Sequence, residues 1–109
     1  MSDDYCKLYD AIKQLPGVRE GHSRFGSSVA FFRGRREFAH FHGREEIDIR
    51  LTADGVARHR RLLSKVPNWG PNPYSDDWVI VRLRGCDVDR TLKLLRKAHE
   101  RARPSRPWR

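Results

Sequence analysis

A chain of 109 residues, 38% of them hydrophobic, has room for one domain with one core. Its longest apolar runs, residues 29–32 and 78–81, fall far short of the ~20 residues a helix needs to cross a bilayer. The net charge of +9 and a pI near 10.4 draw attention to acidic partners.

Asp3 or Asp4 can cap a first helix, in which Tyr5, Leu8, Ile12 and Leu15 recur at helical spacing. Pro16-Gly17 ends it, because proline cannot continue the ladder and glycine tolerates the exit geometry. Residues 18–27, with Gly21, Ser23, Gly26 and Ser27, read as a loop. Three strands are expected next, at 28–33, 36–42 and 46–51, joined by Gly34-Arg35 and Gly43-Arg44-Glu45. Short glycine-bearing links between runs rich in Val, Ile and Phe predict antiparallel hairpins. Thr52 can cap a second helix reaching about Lys65, with Val56, Leu63 and Val66 along its core edge. The stretch 67–74 holds three prolines within seven residues and is expected to be irregular. A fourth strand spans 78–84, with Val79, Val81 and Leu83 toward the core. Asp87 caps a last helix, with Val88, Leu92, Leu95, His99 and Ala102 inward. Arg90, Lys93, Lys97 and Arg101 form a basic stripe on its opposite side.

Residues 1–103 thus read as a single α+β domain and 104–109 as a basic, frayed tail. The expected order is α-β-β-β-α-β-α. It gives a two-layer fold, an antiparallel-leaning four-stranded sheet with helices on one face.

Register decides which side chains share a face. Ile47, Ile49 and Leu51 must face the core, so Glu46, Asp48 and Arg50 take the other side. A three-residue loop, 43–45, pairs Phe41 with Ile47 and Ala39 with Ile49, apolar with apolar. It also sets His42 opposite Glu46 and His40 opposite Asp48. Counting Arg36 into the preceding turn pairs Val29 with Phe41, Phe31 with Ala39 and Arg33 with Glu37. That places Phe32 and Phe38 on the histidine side. The non-core face then displays Phe38, His40, His42, Asp48, Arg50, Trp78 and Arg82, a polar-aromatic platform suited to holding a ligand.

Two uses of that surface follow from its residue types. Residues 1–81 carry a net +2 and residues 82–109 a net +7. The platform arginines and the stripe Arg90, Lys93, Lys97 and Arg101 therefore suit nucleic acid or another anionic ligand, with aromatic rings available to stack. Alternatively, His40 and His42 lie two apart on a strand and point the same way, and Asp48 across the hairpin completes a two-histidine-one-carboxylate metal set. A third reading is a small-molecule, drug-sequestering binder with Trp69, Tyr74 and Trp78 around the proline-rich loop. No Gly-x-Ser-x-Gly element and no glycine-rich phosphate loop is present, so no catalytic residue and no cofactor is assigned and the balance leans away from an enzyme. The acidic start Met1-Ser2-Asp3-Asp4 is unlike a signal peptide, and Cys6 and Cys86 share no CxxC spacing. Both points predict a cytoplasmic protein with reduced thiols and no membrane partner.

The pattern Glu37-x-x-His40-x-His42-Gly43, then Asp48, then Trp78-Val79-x-Val81-Arg82 resembles a family of small bacterial proteins labelled luciferase-domain proteins, a label that implies no light emission here. Pro71 to Tyr74, Trp78-Val79-x-Val81-x-Leu83 and Leu92-x-x-Leu95-Arg96 are more broadly similar to the MmcQ/YjbR family of CyaY-like fold. That resemblance implies an α+β sheet domain and, from suggestions made for the family, DNA binding through a double-wing arrangement of hairpins.

Overall fold

Strict alternation of Ala39, Phe41, Ile47 and Ile49 with His40, His42, Glu46 and Asp48 builds the centre of the molecule as a sheet with two unlike faces. A computed structural model describes residues 4–23 and 29–103. The expected cap at Asp3, the loop residues Gly26 and Ser27, the strand start at 28 and the tail at 104–109 lie outside the described residues. The strands are β1 (Val18–His22), β2 (Val29–Arg33), β3 (Arg36–His42), β4 (Glu46–Arg50), β5 (Trp69–Asn72) and β6 (Ser75–Arg82). They form a six-stranded antiparallel open sheet in the order β1-β2-β3-β4-β6-β5. The helices α1 (Asp4–Lys13), α2 (Thr52–Arg58), α3 (Arg60–Leu63) and α4 (Val88–Arg101) pack with it.

The core lies between the apolar sheet face and the helices. Phe31, Phe41, Ile47, Ile49, Val79 and Val81 meet Leu8 and Ile12 of α1 and Leu94, Leu95 and Ala98 of α4, all buried. Tyr5 and Tyr9 of α1 lie against Phe41 and Phe31 at ring-centroid distances of 4.4 and 5.7 Å. Burying each such side chain stabilises the fold by ~1.5–3 kcal/mol. Asp87 caps α4 as expected, its Oδ1 accepting from Arg90 N at 3.0 Å. The buried side of α4 is rotated from the expected one: Thr91, Leu94 and Ala98 are enclosed, while Val88 and Leu92 are half-buried. No helix among the described residues is long and apolar enough to cross a membrane.

The four-stranded expectation is corrected by two further strands, both at edges. Residues 18–22 lack apolar alternation, yet an edge strand needs only one partner, and β1 pairs with β2 from Val18 to His22. Glu20 anchors it to α1 by accepting from the Tyr9 hydroxyl and from Lys13 Nζ. Residues 69–72 pair with β6 despite Pro71, because a proline without an N–H is tolerated where one side of the strand faces no neighbour. The expected single helix to Lys65 is also two, α2 and α3, separated at His59. Gly55 and the like-charged Arg58, Arg60 and Arg61 disfavour one continuous helix there. The position before α2 is Leu51, which makes no side-chain cap bond, and Thr52 is instead the first residue of the helix. Its φ is 66, and its Oγ1 still accepts from Gly55 N at 3.1 Å, the bond expected of a cap.

Candidate metal centre

The β3–β4 hairpin has the register its loop length predicts: Ala39 faces Ile49, His40 faces Asp48, Phe41 faces Ile47 and His42 faces Glu46. Gly43 turns the chain at φ 57, where a Cβ would be strained. β6 then lies beside β4 with Ile80 opposite Asp48, Trp78 opposite Arg50 and Arg82 opposite Glu46. These pairings bring His40, His42, Asp48, Trp78 and Ile80 onto one face.

The β2–β3 pairing departs from the expected register. Gly34-Arg35 is a two-residue turn, so Arg33 faces Arg36 and Phe32 faces Glu37, while Phe31 still faces Ala39. The register shift leaves Phe38 as an extra residue on β3. Phe38 consequently drops into the core, fully buried, with its ring 5.5 Å from that of His99. The expectation that Phe38 belongs to the platform is therefore corrected: the inserted residue reverses the alternation behind it. The same reversal sets Glu37 on the side of His40, although residues three apart on a regular strand face opposite ways.

The result is a chain of buried polar groups. Ser23 Oγ donates to Glu37 Oε2 at 2.8 Å. Glu37 Oε2 stands 2.7 Å from His40 Nδ1, and His40 Nε2 stands 3.1 Å from Asp48 Oδ2. His42 Nε2 reaches the same Asp48 oxygen at 3.1 Å, so its imidazole crosses the hairpin diagonally to Asp48. His40 and Asp48 side chains are only 4% and 5% exposed, whereas His42 is 50% exposed and opens the group to solvent. Asp48 Oδ1 is buried and takes no hydrogen bond among the described residues. Burial works against charge on His40, but hydrogen bonds and charge from Asp48 and Glu37 outweigh it and raise its pKa to about 9. At neutral pH His40 is an imidazolium held between two carboxylates.

His40, His42 and Asp48 each present a donor atom, and these lie within 4.8 Å of one another. Two donors bound at ~2.0–2.1 Å to a tetrahedral ion would be separated by roughly 3.3 Å, close to the 3.1 Å from each imidazole Nε2 to Asp48 Oδ2. Above the group is a cleft of about 460 Å³, walled by Trp78, Ile80 and the β5–β6 turn with Pro73 and Tyr74. The Trp78 ring lies 4.9 Å from that of His40.

The remaining expected site residues are placed elsewhere. Arg50 pairs with Asp77 at 3.6 Å, and Arg82, 77% exposed, with Glu46 at 3.8 Å; neither lines the cleft. Arg90 pairs with its own helix cap Asp87, and Lys97 with Glu100. Arg101 crosses Gly55, where a Cβ would come 2.7 Å from its Nε, to reach Asp54 and Thr52. Lys93 is exposed on the same helix. Since α4 packs on the core side of the sheet, the stripe and the histidine face do not form one surface. Sequence reasoning missed Glu37 and Ser23 as parts of the network. The available signal was the doublet Phe38-Ala39, two apolar residues where alternation demands one. Comparisons with protein-family models, with curated proteins and with solved structures found no match to this chain.

Proposed function

We propose that this chain is a metal-binding protein in which His40, His42 and Asp48 hold one divalent transition-metal ion at the floor of an open cleft. The observation carrying this reading is the convergence of three donor atoms of the right chemistry within 4.8 Å, two of them on nearly buried side chains. Imidazole nitrogen with one carboxylate suits zinc, iron or nickel better than calcium or magnesium. The ion would take the place of the His40 proton between the same partners. Glu37 at Nδ1 fixes the ring so that Nε2 faces the ion, the usual role of a carboxylate behind a metal-bound histidine. Three protein donors leave positions open for water or a ligand oxygen, as metal-assisted chemistry requires.

Zinc titration of the chelator-stripped chain against a competing indicator tests this. One ion per chain is expected, with affinity lower in His42→Ala on the order of a hundredfold or more, because one of three ligands is lost. His42 is half-exposed, so its removal leaves the core intact. Sub-stoichiometric binding, or binding indifferent to His42→Ala, overturns the reading.

The helical side supports a second, separate reading as a polyanion-binding surface. Arg60, Arg61, Lys65, Lys93 and Arg96 are exposed and form no ion pair with another described residue. Nucleic-acid phosphates would meet such cations without a competing carboxylate.

A further inference from the structure

Resting on the metal reading, we infer that the cleft takes a planar, conjugated small molecule that chelates the ion through two adjacent oxygens and carries no phosphate. Its volume of about 460 Å³ falls within the range of small-ligand sites. Trp78, Ile80, Pro73 and Tyr74 give the cleft an apolar, partly aromatic lining beside the histidine–aspartate group. Aromatic and aliphatic side chains of this kind suit a flat, apolar body. Tyr74 is 94% exposed and is the one large exposed hydrophobic side chain among the described residues. A ligand seated against its ring removes that apolar surface from water.

Charge narrows the class further. Among the described residues no lysine or arginine lines the cleft, and the arginines on this face, Arg50 and Arg82, stand beside Asp77 and Glu46. The ion is therefore the cleft's source of positive charge, while Glu37 and Asp48 repel a multiply charged anion. Two polar groups of the lining offer donors. Asn72 Oδ1 already accepts from Tyr74 N, leaving its amide N–H groups to donate, and Ser75 Oγ accepts from Asp77 N, leaving its O–H to donate. Acceptor oxygens on the ligand suit both the rim and the ion. Three protein donors leave one position on a tetrahedral ion and two on a five-coordinate one, and a chelating pair of oxygens would fill the latter.

Three probes on the zinc-loaded full chain decide the matter: tropolone, planar and O,O-chelating; acetohydroxamate, chelating without a ring; and pyrophosphate, a polyanion. Each affinity is taken relative to the same probe's affinity for aqueous zinc, and zinc retention is measured alongside. Tropolone is expected to gain about tenfold over acetohydroxamate from the apolar lining. Tyr74→Ala should weaken tropolone about fivefold and acetohydroxamate not at all, as loss of one ring contact predicts. Equal relative affinities, a tropolone affinity indifferent to Tyr74→Ala, or preference for pyrophosphate overturns the inference while the zinc site stands. A chain that does not retain zinc fails at the metal reading itself.

Discussion

On the histidine side of the sheet, Glu37, His40 and Asp48 are buried and share partners; on the helical side the described charged groups are exposed or half-buried, and several have no ion-pair partner among the described residues. Asp48 serves two imidazoles and His40 serves two carboxylates, in a network whose central members are almost out of solvent. Across the sheet, Asp54 with Arg58 and Arg101, and Asp87 with Arg90, sit in or near water. Exposed pairs of that kind contribute ~0–1 kcal/mol each and weaken with salt. Buried ones are expensive to assemble and costly to break, so their geometry is tightly determined. The contrast separates a surface that can attract a partner from a place that can fix the position of an atom.

Three measurements sharpen or break this contrast. The largest effect is expected from pH on the metal-free chain. The folded His40 pKa is about 9 against an ordinary 6.5, so its contribution to stability is fully present below pH 6.5 and is lost as pH rises through 9. The urea midpoint in the presence of chelator should fall across that window in the wild type and stay flatter in His40→Gln; an identical profile would sink the buried-imidazolium description. Next, Glu37→Gln should weaken zinc binding about ten- to hundredfold, the usual cost of losing a carboxylate behind a metal-bound histidine. Indifference would mean that Glu37 only fills space. Smallest is the helical side: Lys93→Glu with Arg96→Glu should weaken duplex DNA several-fold and reduce the log–log salt slope by about 2. Zinc affinity should not follow; if it does, the two sides are coupled after all.

Much of the site was legible in the chain because hairpin geometry is local. Loop length and the alternation of Phe41, Ile47 and Ile49 sufficed to set His40 opposite Asp48. The last helix was equally readable through its Asp87 cap. The edge strands were not, because β1 and β5 are held by single partners and carry Arg19, Glu20, Gly70 and Pro71 in place of a periodic apolar run. Phe38 was misplaced for a different reason. Register was extended from one end of β3 to the other, and an inserted residue breaks any such extension. Arg50 and Arg82 reached the expected face, but side-chain pairing with Asp77 and Glu46 turned their charge to local use.

All three donors of the candidate centre lie between residues 40 and 48, on two adjoining strands joined by one short loop. Closing so short a loop costs little chain entropy and is fast compared with bringing β6 alongside. Chain entropy therefore favours assembly of the donor set ahead of the long-range contacts that bring Trp78, Ile80 and Tyr74 to the cleft. An ion present at that stage would favour the hairpin's correct register over a one-residue slip, since a slip turns Asp48 away from both histidines.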